Sequence, residues 1–375
     1  MTAPTVPPLA GFTVGVTAAR RADELGTMLE RRGAVVQHGP AIRIVALPDD
    51  ERLLANTRTL AERPPDITVA TTGIGFRGWM AAADGWGVGE RLRAALGRGT
   101  LLARGPKARG AIRASGLVEA WSPESESTAE VLDHLLGIGV AGRCIAVQLH
   151  GEPLPEVVAA LRRAGAEVVE VPVYRWAPPA DIAPMDRLTD AVLVGGVDVV
   201  TFTSAPAAAS LLARAAERGV RTELVDALRG PVLALCVGPV TAAPLEALGV
   251  STVQPHRCRL GSMVRTLEAA APARARRFAA GGHRLELRGH AVVVDGVLHR
   301  VPPTPMALLR VLARRPGWVV PRAELLRVLP GGGDDEHAVE TAVARLRAAL
   351  GRPALVQTVV KRGYRLAVDP AGEPR

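Results

Sequence analysis

Two groups of residues have types and spacings that could do chemistry, and both are suited to anions. The first lies near the C-terminus. Lys361-Arg362-Gly363 separates two apolar runs, 355–360 and 364–368, and reads as a two-strand hairpin with a cationic tip. Just upstream, Val339, Val343, Leu346 and Leu350 recur at spacings of 4, 3 and 4, which predicts a helix over 337–350. Its other face carries His337, Thr341, Ala344, Arg345 and Ala348. A polar helix face beside a basic hairpin is the electrostatic footprint that duplex DNA requires. The second group lies where short apolar runs end and helices begin. Backbone N–H groups at Thr72-Gly73, Ser204-Ala205 and Gly238 to Thr241, together with helix dipoles, favour negative charge. Arg20, Arg104, Lys107, Arg109 and Arg175 add positive charge around them.

Composition bounds what can position these residues. The chain has 375 residues, 48% of them hydrophobic, which is more than one ordinary core and predicts at least two folded domains. Residues 272–375 hold 18 Lys and Arg against 9 Asp and Glu, so the whole formal charge of +9 lies in the last quarter. Cys144, Cys236 and Cys258 are widely spaced and have no metal-ligand pattern, which fits a reducing compartment with neither a disulfide framework nor a metal site. No signal-like N-terminus or membrane-spanning run stands out, so the expectation is a soluble, cytoplasmic protein without membrane partners.

The basic region reads as a complete module. Short strands are predicted at 285–287, 291–294 and 297–301, with an Asp295-Gly296 turn. Helices follow over 304–315 and 322–328, and Gly331-Gly-Gly333 ends the second. This order resembles the winged-helix effector domain of response regulators. Val339-Glu-Thr-Ala-Val-Ala-Arg-Leu-Arg-Ala-Ala-Leu350 and Val356-Gln-Thr-Val-Val-Lys-Arg-Gly-Tyr-Arg365 carry the resemblance. It implies that the third helix enters the major groove and the hairpin approaches the minor groove. Arg345 then matches a guanine-reading position, and Arg347, Thr358 and Tyr364 match phosphate-contacting positions. An intramolecular ion pair is the alternative for Arg347. Ala342 and Ala344 stand where polar contact residues are common, so base preference does not transfer.

The first 270 residues contain a repeat. Arg32-Gly-Ala-Val-Val-Gln-His-Gly-Pro40 matches Ala164-Gly-Ala-Glu-Val-Val-Glu-Val-Pro172, and Asp66-Ile-Thr-Val-Ala-Thr-Thr72 matches Asp198-Val-Val-Thr-Phe-Thr-Ser204, both offset by 132. Two similar parallel-sheet α/β lobes follow from this. A phosphoacceptor receiver is excluded, because Val14-Gly-Val-Thr-Ala-Ala-Arg20 lacks the acidic pair that holds Mg²⁺. Gly165-Ala-Glu-Val-Val-Glu-Val-Pro-Val-Tyr-Arg175 and Val237-Gly-Pro-Val-Thr-Ala242 instead resemble uroporphyrinogen-III synthase. That family closes a linear tetrapyrrole, hydroxymethylbilane, without metal or cofactor. By resemblance Tyr174 is the general acid assisting departure of the substrate hydroxyl, and Ser204 and Thr241 contact substrate. Strand-end packing beside Trp176 is the alternative for Tyr174. Val69-Ala-Thr-Thr-Gly-Ile-Gly75 departs from the family's Phe-Thr-Ser turn, and Leu102-Ala-Arg-Gly-Pro-Lys-Ala-Arg109 lacks the threonine seen at Thr241.

The expected organisation is a disordered N-terminus (1–10), a synthase-like part (11–268), a linker (269–282), a winged helix (283–369) and a tail (370–375). The synthase-like part divides into lobe A, 11–40 plus 181–268, and lobe B, 49–171, joined by proline-rich connectors at 40–48 and 172–179. The leading functional expectation is a transcription regulator that binds promoter DNA and senses an anionic small molecule, such as a tetrapyrrole, between its lobes. A synthase that also binds DNA, and a constitutive DNA binder whose N-terminal part contacts a second copy or a partner regulator, stand as alternatives.

Overall fold

Short, mainly apolar runs form the central parallel strands. In the computed structural model, which describes residues 6–47, 50–124, 127–149, 151, 153–329 and 336–368, Ile67–Ala70, Val199–Phe202 and Leu233–Cys236 are buried at every position. Strands covered on both faces by helices need this pattern. The chain forms two compact units, residues up to 42 with 178–375, and residues 43–177.

In the first unit, β1 (Thr13–Val16) and β2 (Val35–His38) precede the excursion into the second unit. In that second unit come β3 (Arg43–Ala46), β4 (Ile67–Ala70), β5 (Thr100–Ala103), β6 (Cys144–Gln148), β7 (Glu167–Val171) and β8 (Tyr174–Ala177). The chain then returns with β9 (Val199–Phe202), β10 (Leu233–Cys236) and β11 (Thr252–Val253). The first unit's parallel sheet has the order β11-β10-β9-β1-β2, and the second unit's has β5-β4-β6-β7. Each sheet therefore mixes strands from both sequence repeats, because the chain leaves after β2 and re-enters at β9. The repeat is visible in an elementary device. Asp66 accepts the Cys144 N–H at 2.7 Å beside β4, and Asp198, 132 residues on, accepts the Thr13 N–H at 2.7 Å beside β9. The proline-rich connectors contain β3 and β8, which pair antiparallel with Ala46 opposite Tyr174.

The basic module is built on four antiparallel strands, β12 (Arg276–Ala280), β13 (His283–Leu287), β14 (Ala291–Val294) and β15 (Val297–Arg300). Helices Pro303–Leu312, Arg322–Leu326 and Glu336–Leu350 follow, then the hairpin of β16 (Val356–Val359) and β17 (Gly363–Leu366). One core joins Leu285, Val292, Leu308, Leu312, Val339, Val343, Leu346 and Leu366.

The stretch 269–282 is no linker: helix Leu260–Arg274 runs through its start, and β12 pairs Phe278 with Leu285. Only Phe278 and Ala280 of β12 face the core, so arginine and small residues mask its period. Nor are residues 6–10 loose. Leu9 is completely buried, and its N–H donates to the Arg32 carbonyl at 2.9 Å. The Gly331–Gly333 helix end and the 370–375 tail lie outside the described residues. No helix among the described residues is long and apolar enough to cross a membrane.

Candidate nucleic-acid interface and anion-binding turns

Helix Glu336–Leu350 buries Val339, Val343, Leu346 and Leu350 and leaves His337, Thr341, Ala344, Arg345 and Ala348 exposed. Its 15 residues span roughly 22 Å at 1.5 Å per residue, a cylinder that fits the major groove. Arg347 does not join the open face. Its Nε and Nη2 donate to the Val356 carbonyl at 2.9 and 2.7 Å, and Nη2 also donates to Thr358 Oγ1 at 2.8 Å. These bonds fasten helix to hairpin, so Arg347 positions both, and its partners are a carbonyl and a hydroxyl where an ion pair was the alternative. Thr358 stays exposed beside it. Lys361 and Arg362 are exposed at the hairpin tip, with Lys361 in the left-handed region at φ 56°.

Tyr364 is only 3% exposed and lies in the module's core, where its backbone pairs both ways with Val320. The phosphate contact expected of this side chain gives way to packing. Sequence reasoning missed the residue that covers it. The Arg322 guanidinium sits 5.6 Å from the Tyr364 ring centre and pairs with Glu340 at 3.5 Å. Nothing in the sequence links positions 42 residues apart.

The anion-favouring turns divide between the units. In the first, the carboxyl ends of β1, β9 and β10 lie side by side in the sheet. Arg20 is exposed after β1. Ser204 and Gly238 precede helices Ala205–Glu217 and Pro239–Glu246, neither of which has a side-chain cap. Thr241 is buried in the first turn of the latter helix. Gly238 is needed for packing, since a Cβ there would meet Cys258 Sγ at 2.5 Å.

In the second unit the structure brings Thr72, Tyr174 and Gln148 together. Gln148, buried at the end of β6, accepts the N–H groups of Thr71 and Thr72, both at 3.1 Å, through Oε1. The Thr72 hydroxyl caps the Gly75 N–H at 3.2 Å and meets the Tyr174 hydroxyl at 3.4 Å. The Thr72 N–H expected to serve a ligand is therefore already occupied. The two glycines after it answer packing demands. A Cβ at Gly75 would lie 2.1 Å from Gln148 Nε2, and one at Gly73 would lie 2.2 Å from the Lys107 carbonyl. Tyr174 is 6% exposed and belongs to the unit's core, while Arg175, Lys107 and the partly buried Arg104 reach its surface.

Arg109 is committed elsewhere, donating from Nε to Glu119 at 3.0 Å beside Arg113 at 2.6 Å. The Arg113 hydrogen bond, helped by Arg109, holds the Glu119 carboxyl down at about 2 from an ordinary 4.5. A depressed carboxylate stabilises the fold while ionised, so its contribution is complete above about pH 4.5 and disappears as pH falls through about 2. The Tm difference between wild type and Glu119→Gln should accordingly be largest near neutrality and vanish toward pH 2, as a differential scanning series would show.

Residues 23–265 match the family described as uroporphyrinogen-III synthase HemD. The chain belongs to the uroporphyrinogen-III synthase family. Residues 298–366 match the family described as transcriptional regulatory protein, C terminal, so a DNA-binding regulator domain of the response-regulator winged-helix type follows the synthase-family part. Among solved structures, a mutant uroporphyrinogen III synthase from the extremely thermophilic bacterium Thermus thermophilus is 30% identical with a TM-score of 0.58, over 68% of this chain and 97% of that one. An uncharacterized protein of Bacillus subtilis (strain 168), YjjA, is 29% identical over 257 residues, 68% of this chain and 94% of its own length. A putative uroporphyrinogen-III synthase from Methanothermobacter thermautotrophicus is 33% identical over 145 residues, which spans 56% of that protein.

Proposed function

We propose that the synthase-family part of this DNA-binding regulator serves as a sensor for an anionic small molecule, with a tetrapyrrole polycarboxylate as the class that suits it best. The state of the strand-end turns carries this reading. The first unit keeps two uncapped helix starts on neighbouring strands, with Arg20 on the same sheet edge. Such ends attract carboxylates through N–H groups and helix dipoles. The second unit has turned its donors inward, with Gln148 on the Thr71 and Thr72 amides and Arg109 on Glu119.

Binding tolerates that loss better than turnover does. Closing a linear tetrapyrrole in the inverted sense requires its terminal rings to be oriented before attack, and loosened orientation costs rate steeply. Purified protein incubated with hydroxymethylbilane should give the isomer III to isomer I ratio of the protein-free control. The same protein should gain thermal stability from tetrapyrroles by mass action. Abundant isomer III that falls in Tyr174→Phe would make the chain a working synthase that also binds DNA. Unchanged stability with every tetrapyrrole tried would instead leave the synthase-family part as a scaffold.

A further inference from the structure

The DNA-binding module docks on the first unit's sheet at the edge opposite the anion-favouring turns. The Gly11 carbonyl accepts the His290 N–H at 2.8 Å, and Arg288, 9% exposed, donates to the Ala10 carbonyl at 2.7 Å. Beside this contact lies a cavity of about 480 Å³, within the range of small-molecule sites. Its floor is apolar, formed by Phe12, Val199 and Leu233 at the amino ends of β1, β9 and β10, with Leu287 from β13. Its rim carries Arg274, Arg276, Arg310 and Arg314, and a fifth lining arginine, Arg288, lies over the Phe12 ring at 5.4 Å and pairs with Glu286 at 2.8 Å.

Three of these guanidiniums are held in place by backbone carbonyls. Arg274 donates to Gly230, Arg276 to Arg314 at 2.8 Å and Arg310 to Gly289 at 2.8 Å. Each carries five N–H donors, so such a bond orients the group and leaves most of its donors for a ligand. The carboxylate at the cavity is Asp198, whose Oδ2 accepts the Thr13 N–H. Burial pushes its carboxyl pKa up, while the Thr13 N–H bond and the nearby Arg310 charge pull it down, so one carboxylate faces several arginines. Ala271, Arg274, Arg276, Leu287 and Gly289 fall between the two family-matched stretches, which end at 265 and resume at 298. The wall is therefore a feature of how this chain joins its two parts.

We propose that this cavity is an effector site for a compact amphipathic anion, one with an apolar or aromatic body and at least two negative charges, and that its occupancy alters DNA affinity. The body lies on the Phe12–Leu287 floor and the charges meet the arginine rim, which has the fixed donors that such anions need. Arg310 gives the route to DNA. It stands on helix Pro303–Leu312, whose Leu308 and Leu312 share a core with Val343 and Leu346 of the DNA-facing helix. A ligand that draws Arg310 toward the sheet acts on the support of that helix. The site is separate from the tetrapyrrole reading, since it lies one strand length, roughly 13 Å, from the carboxyl-end turns.

Calorimetry on the full chain tests this with ADP and 1,5-naphthalenedisulfonate as probes. At least one probe should bind saturably, about tenfold or more weaker in an Arg310→Ala/Arg314→Ala protein and unchanged in Arg91→Ala, an exposed arginine of the second unit. Arg314→Glu, a charge reversal at an exposed position, should weaken it likewise if the double variant folds poorly. At saturating probe, the DNA dissociation constant should change at least threefold. Absence of saturable binding by both probes at millimolar concentration overturns the proposal. So does binding that the Arg310 and Arg314 substitutions leave intact, or a DNA affinity that a bound probe does not move.

Discussion

Gly363→Ala is expected to destabilise the DNA-binding module by roughly 2–4 kcal/mol and to abolish tight DNA binding. Gly363 sits at φ 133°, which an L side chain rarely adopts, and a Cβ there would lie 2.0 Å from the Val320 carbonyl oxygen. That oxygen accepts the Tyr364 N–H at 3.1 Å, and Val320 donates back to Tyr364 at 2.8 Å. The hairpin cannot admit the methyl group and keep both bonds, so Lys361 and Arg362 lose their fixed place. Gly296 supplies the control. It also has positive φ, at 84°, but a Cβ there meets nothing within 4 Å. Gly296→Ala should cost only the backbone strain, about 1 kcal/mol. Thermal unfolding of the two variants separates the effects, and equal destabilisation would contradict the close contact at Val320.

Arg345→Ala is expected to weaken binding to a cognate promoter by about 1–3 kcal/mol, or roughly 5- to 150-fold, with little change on unrelated DNA. Arg345 is exposed at the centre of the open helix face, one turn from Thr341, whereas the neighbouring Arg347 is fastened to Val356. Lys361→Ala at the hairpin tip should lower affinity evenly across sequences and reduce the salt slope by about one. Fluorescence anisotropy with cognate and scrambled duplexes over a salt series distinguishes the two. A uniform loss in Arg345→Ala would remove it from base recognition.

The features legible in the sequence are those written in local periods. The helix at 336–350 declares its buried and open faces through the 4-3-4 spacing of Val339, Val343, Leu346 and Leu350, and the structure keeps both faces. The fully buried parallel strands are likewise legible as short runs that are apolar except at Thr68 and Thr201, and the 132-residue offset marks Asp66 and Asp198 as counterparts before their common role is seen. What local pattern cannot show is which donor a distant side chain already occupies. Gln148 lies 77 residues from Thr71 in sequence, and only the β4–β6 pairing brings its amide to the turn. Glu119 captures Arg109 and Arg113 from beyond their helix. Strand β12 is hidden for a different reason, because tertiary pairing with β13 overrides a sequence of arginine and small residues that has little strand signal of its own.

The DNA dissociation constant of the full chain, measured on a cognate promoter as uroporphyrinogen III is titrated in, reports whether ligand binding reaches the DNA-binding module. Two sites in one chain that sense and respond must be coupled, and coupling free energies of about 1–3 kcal/mol are typical of such linkage. A saturable change of roughly fivefold or more is expected, at tetrapyrrole concentrations that also raise the Tm. A DNA affinity that is strongly salt-dependent yet identical at every tetrapyrrole concentration would contradict it, and would leave the chain a DNA binder to which the synthase-family part contributes no signal.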